Sequence, residues 1–114
     1  MPYLNIVTNA GVTGEAGQML IAAASQAVAE TLGKDERYVM VTLQTGTPML
    51  FGGDDGPAAF LDLRSIGLAE DRAAPLSQAL SAVIRTHLSI PPERVYLTAA
   101  AVPRALWGWK GATF

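Results

Sequence analysis

The chain has no cysteine. That excludes a disulfide framework, a thiolate metal site and any thiol chemistry, and it leaves the redox compartment unreadable. Charge is scarce as well: 16% of the 114 residues are Asp, Glu, Lys or Arg, and eight cations against ten anions give a formal net charge of −2. The cations run from Lys34 to Lys110 with no basic block. Phosphate-backbone binding needs clustered positive charge, so nucleic acid is not an expected partner. No apolar run approaches the roughly 20 residues that span a bilayer, so no membrane contact is expected. The opening Met1-Pro2-Tyr3-Leu4-Asn5 lacks the basic region and apolar core of a secretory signal. A cytoplasmic protein is the expectation, with export independent of a signal peptide left open.

Cofactor-binding patterns are missing too. There is neither the Gly-x-x-x-x-Gly-Lys of a phosphate loop nor the Gly-x-Gly-x-x-Gly of a dinucleotide fold. Gly52-Gly53-Asp54-Asp55-Gly56 lacks the spaced ligands and distal Glu of a calcium loop and reads as a turn. The only histidine, His87, falls on a helical core stripe, where packing is the expected role rather than metal ligation. No metal and no cofactor are expected.

What is present is apolar. Half of the residues are hydrophobic, enough to offset chain entropy, and residues 1–114 suit one domain. Asp35-Glu36-Arg37-Tyr38-Val39 returns as Pro92-Glu93-Arg94-Val95-Tyr96 at an offset of 57 residues. The same offset matches Leu4 with Leu61, Ile6 with Leu63 and Thr8 with Ser65. An internal duplication is the reading, with pseudo-repeats at about 2–45 and 58–102.

Each half reads β-α-β. In the first, Pro2–Thr8 is strand-like, and Gly14–Leu32 sets Leu20, Ala23, Ala24, Ala27, Val28 and Thr31 on one helical stripe capped by Gly33. Residues 38–44 are β-rich. In the second, residues 58–65 read as a strand, and residues 70–88 as a helix with Leu76, Leu80, Val83, Ile84 and His87 on one face. Residues 94–102 read as a strand that Pro103 ends. Crossover helices make each strand pair parallel. The expected fold is α/β (α+β), a four-stranded mixed sheet with two helices on one face. Two helices cover only that face, yet residues 39–43 and 95–102 are nearly continuous apolar runs that suit strands buried on both sides. Another copy of the chain is the simplest cover, so a homo-oligomer is expected.

One residue offers chemistry. Proline at position 2 permits removal of the initiator methionine, which turns a tertiary amide without basicity into a free cyclic secondary amine. An α-amino group titrates near 8, leaving about a tenth unprotonated at neutral pH, and an apolar pocket or a neighbouring cation lowers that value. Pro2 is then a candidate general base.

Together with Met1-Pro2, the ordered set Thr8-Asn9, Leu32-Gly33-Lys34, Phe51-Gly52-Gly53, Ser65-Ile66-Gly67, Arg94-Val95-Tyr96 and Gly108-Trp109-Lys110-Gly111-Ala112-Thr113-Phe114 resembles the macrophage migration inhibitory factor family of the tautomerase superfamily, from end to end. The resemblance implies a homotrimer of duplicated β-α-β units, with helices outside and sheets lining a central channel. It implies active sites between subunits, where Pro2 shuttles a proton between carbon and oxygen of an aromatic 2-keto acid. Phenylpyruvate and 4-hydroxyphenylpyruvate are the usual test substrates. By the same resemblance Lys34 binds substrate oxygens and disfavours a protonated Pro2, and Ile66 offers its backbone N–H. Tyr96 is lent by the adjacent subunit, and Trp109 and Phe114 form the mouth and wall, with Trp107 a further aromatic nearby.

The match departs in places. Thr98 stands where the family carries an asparagine that holds a polar ring substituent, and Ala99 and Ala100 replace bulky aromatics. A different pocket shape and ring preference are expected. Ala58-Ala59-Phe60-Leu61 replaces the Cys-x-x-Cys of the vertebrate cytokine, removing its sulfur chemistry. The expected function is a phenylpyruvate-type keto-enol tautomerase. The alternative is a cytokine-like protein that presents its surface to a protein receptor, with weak or vestigial catalysis.

Overall fold

The computed structural model describes all 114 residues. β1 (Pro2–Thr8), α1 (Gly14–Leu32) and β2 (Met40–Gln44) form one β-α-β unit; β3 (Ala59–Ile66), α2 (Ala73–Leu88) and β4 (Val95–Val102) form the second. A short terminal hairpin of β5 (Gly108–Trp109) and β6 (Ala112–Thr113) follows.

Local chemistry sets these elements. Along β1, Pro2, Leu4, Ile6 and Thr8 are buried while Tyr3, Asn5 and Val7 turn to the other face, the period of two that defines a strand. α1 starts at Thr13, whose side chain accepts from the Ala16 N–H, and stops at Gly33, which takes a left-handed φ of 63°. The N–H groups of Gly33 and Lys34 donate to the carbonyls of Glu30 (3.4 Å) and Ala29 (3.0 Å), so this cap fixes where Lys34 leaves the helix.

Element boundaries depart from the sequence reading for identifiable reasons. The Asp35 carboxylate accepts from the Arg37 N–H and starts a 3₁₀ turn over Glu36–Tyr38, so β2 begins at Met40 rather than at Tyr38. Pro75 has no N–H to donate and fits only a first helical turn; α2 accordingly begins at Ala73, with Glu70–Arg72 as a separate 3₁₀ turn. β3 lies one residue further on than read, and Pro92–Arg94 form a 3₁₀ turn ahead of β4.

The sheet order is β2-β1-β3-β4, with β1 parallel to β2, β3 parallel to β4, and β1 antiparallel to β3. One face packs on both helices through Leu4, Ile6, Leu61 and Leu63 from the sheet, Leu20, Ala24 and Val28 from α1, and Leu76, Leu80 and Ile84 from α2, all fully buried. Burying each large aliphatic contributes roughly 2 kcal/mol. His87 on α2 is half-buried. No helix is long and apolar enough to cross a membrane.

The opposite face is open, and its character differs from the two-sided apolar burial that the runs in β2 and β4 suggested. Both strands alternate, turning Thr42, Gln44 and Thr98 outward. The Tyr3 hydroxyl pairs with Thr42 Oγ1 at 3.0 Å, Thr42 donates to Asn5 Oδ1 at 2.7 Å, and Asn5 Nδ2 donates to Gln44 Oε1 at 3.3 Å. Thr98 and Arg64 donate to the Asp62 carboxylate at 3.3 and 3.2 Å. The open face therefore has a polar, hydrogen-bonded centre, with Met40, Phe60 and Tyr96 as an exposed apolar rim.

Candidate active site

Strand register brings the chain start to one end of the sheet. Pro2 pairs with Ser65, and β3 runs one residue further to Ile66, which pairs with Val102. Pro2 and Ser65 are fully buried, and the Ser65 hydroxyl donates to the Ile66 carbonyl at 3.2 Å. β2 is parallel to β1 and is entered from the same end, so the cap of α1 delivers Lys34 there. The α-amino group at the chain start, carried by Met1, is held below its ordinary 8.0, first by desolvation and second by the Lys34 charge.

The tail completes this end. The hairpin closes through Lys110 and Gly111, both left-handed (φ 54° and 76°), the mirror-image turn that suits the twist of a two-residue hairpin. Trp109 meets Tyr38 edge-on (5.9 Å, 90°) and lies parallel to Phe114 (6.0 Å, 4°). Tyr38 comes two residues before Met40, the partner of Tyr3, so its ring stands level with the chain start. The tail leaves the sheet at β4 and reaches the head of β2 on the opposite edge, crossing the end where Pro2 and Ile66 stand. Trp107 is half-buried, and its carbonyl accepts from the Phe114 N–H at 3.3 Å.

Pro2, Lys34, Ile66, Trp109 and Phe114 thus share one end of the molecule. Tyr38 joins them and was not among the residues singled out from sequence. Its only signal there was the internal repeat, in which Tyr38 and Tyr96 fall at adjacent positions of matching pentapeptides.

Tyr96 and Thr98 are elsewhere. Tyr96 pairs with Phe60, five residues before Ser65 along β3, roughly 17 Å away at strand rise. It is 61% exposed and rests on the Phe51 ring at 4.6 Å. Arg94 fastens the loop that carries Phe51. Its Nε donates to the Pro57 carbonyl (2.8 Å), Nη2 to Asp54 and Gly56 (3.1 Å each) and Nη1 to Phe51 (3.4 Å). An apolar cleft of about 430 Å³ between Met49, Leu50, Phe51, Phe60 and Tyr96 opens beside it. Thr8 and Asn9 serve as a latch between the two units. Thr8 donates to the Ala58 carbonyl (2.8 Å), and Asn9 donates to Gly56 (2.9 Å) while accepting from the Ala58 N–H (2.9 Å).

Comparison with known proteins agrees with this architecture. Residues 1–114 match the family model described as Macrophage migration inhibitory factor (MIF). The chain is 32% identical over 115 residues to the macrophage migration inhibitory factor homolog of Brugia malayi, covering 100% of this chain and 99% of that protein. It superposes on the crystal structure of the homologue from Prochlorococcus marinus with a TM-score of 0.92 at 38% identity, over 98% of each chain. It also superposes on Pt0534, a protein crystallised after inactivation by 2-oxo-3-pentynoate, with a TM-score of 0.87 at 26% identity, over 96% of this chain and 93% of that one. On this sequence match and this fold, the chain belongs to the macrophage migration inhibitory factor family of the tautomerase superfamily.

Proposed function

We propose that the chain, freed of Met1, is a keto-enol tautomerase acting on aromatic 2-keto acids such as phenylpyruvate. The observation that carries this reading is the buried Pro2 at the start of β1, next to a Met1 amino group that desolvation and then the Lys34 charge lower; with Met1 removed, the same two influences would act on the Pro2 amine. A neutral Pro2 nitrogen takes a proton from the carbon next to the keto group: the C–H bond breaks, an N–H bond forms, and the electron pair moves to the carbonyl oxygen. The protonated amine then returns its proton to that oxygen as general acid, giving the enol and restoring the base. Lys34 and the Ile66 N–H hold the substrate oxygens and oppose the charge that develops there. Trp109, Phe114 and Tyr38 wall the ring. The steps call for no cofactor.

Tyr96 is too far from Pro2 of its own chain to share a single-ring substrate with it, so a neighbouring subunit of a homotrimer is read as supplying Tyr96, with Thr98 beside it on the same strand. Cover for the open sheet face comes from the same assembly. The two β-α-β units are read as a duplication within one domain. The reagent that inactivated Pt0534 is itself a 2-oxo acid, which supports the substrate class. Ultraviolet absorbance of phenylpyruvate tests the proposal, using protein whose intact mass confirms loss of Met1. Pro2→Gly should slow interconversion about a hundredfold or more. An undiminished rate in that variant removes Pro2 as the base, and no turnover by the processed protein leaves the receptor-binding alternative.

A further inference from the structure

The four strands of the main sheet carry one carboxylate and one cationic side chain between them, Asp62 and Arg64. Both lie on the open face, two residues apart on β3, where Phe60, Asp62 and Arg64 alternate with buried Ala59, Leu61, Leu63 and Ser65. Charge on a face that a neighbouring subunit covers costs solvation, which pairing only offsets. A pair kept there points to a use.

Asp62 Oδ1 accepts from Thr98 Oγ1 at 3.3 Å, and Oδ2 accepts from Arg64 Nη2 at 3.2 Å. Thr98 and Arg64 therefore flank a single carboxylate. They are diagonal neighbours on β4 and β3, with Thr98 opposite Asp62 and Ala100 opposite Arg64. Ala100 sets only a methyl group beside the guanidinium. Tyr3, on the other side, has its hydroxyl paired with Thr42. Arg64 precedes Ser65, the partner of Pro2, but its guanidinium turns back along β3 to Asp62. Its side chain is 58% exposed, and one of its five N–H donors is engaged. Thr98 gives its proton to Asp62 and keeps its lone pairs. An oxygen set between the two meets donors on one side and an acceptor on the other. Asp62 balances the Arg64 charge, so this place suits a neutral oxygen and offers an anion no unpaired cation.

We infer that Arg64 is a specificity-determining residue at the far end of the ring: beside Thr98 of the same subunit, it donates to a neutral oxygen at the para position of an aromatic 2-keto acid. The inference rests on the tautomerase reading and on Thr98 entering the neighbouring subunit's site. A para-hydroxyl donates to Thr98 and accepts from Arg64. An ether oxygen accepts from Arg64 alone.

The test compares KM for 4-methoxyphenylpyruvate with KM for 4-ethylphenylpyruvate, two rings of nearly one shape of which only the first offers lone pairs. Wild-type protein should favour the methoxy ring about fivefold, one hydrogen bond from a partly exposed charged donor. Arg64→Met keeps an unbranched stem without a donor and should bring that preference to one or below. Turnover of unsubstituted phenylpyruvate should hold, and so should the preference for hydroxyl over methoxy, which Thr98 sets. A loss of structure would move all three. Asp62→Asn combined with Arg64→Met leaves no unpaired charge on the face and an amide oxygen to accept from Thr98, so it should repeat the result where the single variant fails to assemble. A wild-type ratio at or below one, or a methoxy preference that survives these variants, overturns the role of Arg64 and leaves the tautomerase reading standing. Where phenylpyruvate is not turned over, calorimetric binding of 4-methoxyphenylacetate against 4-ethylphenylacetate decides. Methoxy selectivity that disappears in the double variant upholds Arg64 and counts against the tautomerase reading alone; equal or absent binding overturns it.

Discussion

Pro2 and Tyr96 stand at opposite ends of one sheet, Pro2 paired with Ser65 and Tyr96 with Phe60. The intervening length of β3, roughly 17 Å, exceeds the span of a single-ring substrate. A site that uses both residues is built from two chains, and subunit mixing exposes this. Pro2→Gly and Tyr96→Ala chains should each be slow alone. Unfolded together at equal amounts and refolded, they should regain about a quarter of the wild-type sites, because some neighbouring pairs then contribute one intact residue each. Light scattering should give about 36 kDa, three times the 12.0 kDa chain. Mixtures no faster than the parent variants would place both residues in the same chain's site or in none.

The amine at the chain start gives a pH prediction. On Met1 of the unprocessed chain, desolvation and then Lys34 hold it below 8.0, and the Pro2 amine of the processed chain is expected to meet the same two influences. kcat/KM should therefore rise with pH along a limb centred below that value and level off above it. Lys34→Gln removes the second cause and keeps the first, so the limb should move upward without returning fully to the ordinary value. Stability follows the same linkage. Between the folded and unfolded values the unfolded chain binds more protons, so stability rises with pH across that window and is lost as pH falls through it. A pH–rate midpoint that is unchanged in Lys34→Gln would dissociate Lys34 from the base.

Arg94 binds the carbonyls of Phe51, Asp54, Gly56 and Pro57 through one planar guanidinium, with its side chain only 21% exposed. Lysine keeps the charge but not the fork. Arg94→Lys should lower the free energy of unfolding by about 1–2 kcal/mol in urea titrations, with partial solvent screening already allowed for. Amide exchange should accelerate in residues 51–57. KM should rise as well, since Phe51 supports Tyr96 at 4.6 Å. Unchanged exchange in that loop would show that the four contacts do not hold it.

Sequence periodicity located the elements whose causes are local. Pro2–Thr8 and Gly14–Leu32 have the bounds that alternation, the helical stripe and Gly33 imply. It missed single-turn events, because the Asp35 cap and the N–H-less Pro75 each act over fewer residues than a helical or strand period. It also misjudged the open face. Thr42 and Thr98 look like breaks in apolar runs, and only their cross-strand partners Asn5 and Asp62 show a polar centre. Pro2, Lys34, Ile66, Trp109 and Phe114 come from four separate stretches of the chain and share one end of the molecule through strand register, the α1 cap and the tail hairpin. Tyr38 escaped notice because its place depends on the tail crossing the whole end of the sheet, a long-range contact that no local pattern encodes.

The Thr98 side chain has its proton committed: Oγ1 donates to Asp62 Oδ1 at 3.3 Å, and Asp62 is itself anchored by Arg64 at 3.2 Å. What the hydroxyl can still offer a substrate ring is a lone pair, so it can accept but not donate. An asparagine amide at this position could do both. The protein should therefore favour a para-hydroxyl, which donates, over a para-methoxy group, which cannot. Thr98→Val should raise KM for 4-hydroxyphenylpyruvate about threefold to fivefold, one neutral hydrogen bond, and abolish the discrimination between the two substituents. Thr98→Asn should retain the hydroxyl preference while improving the methoxy substrate. Steady-state kinetics on the two substrates decide the matter: equal KM values in wild type would mean that the Thr98 hydroxyl faces no ring substituent at all.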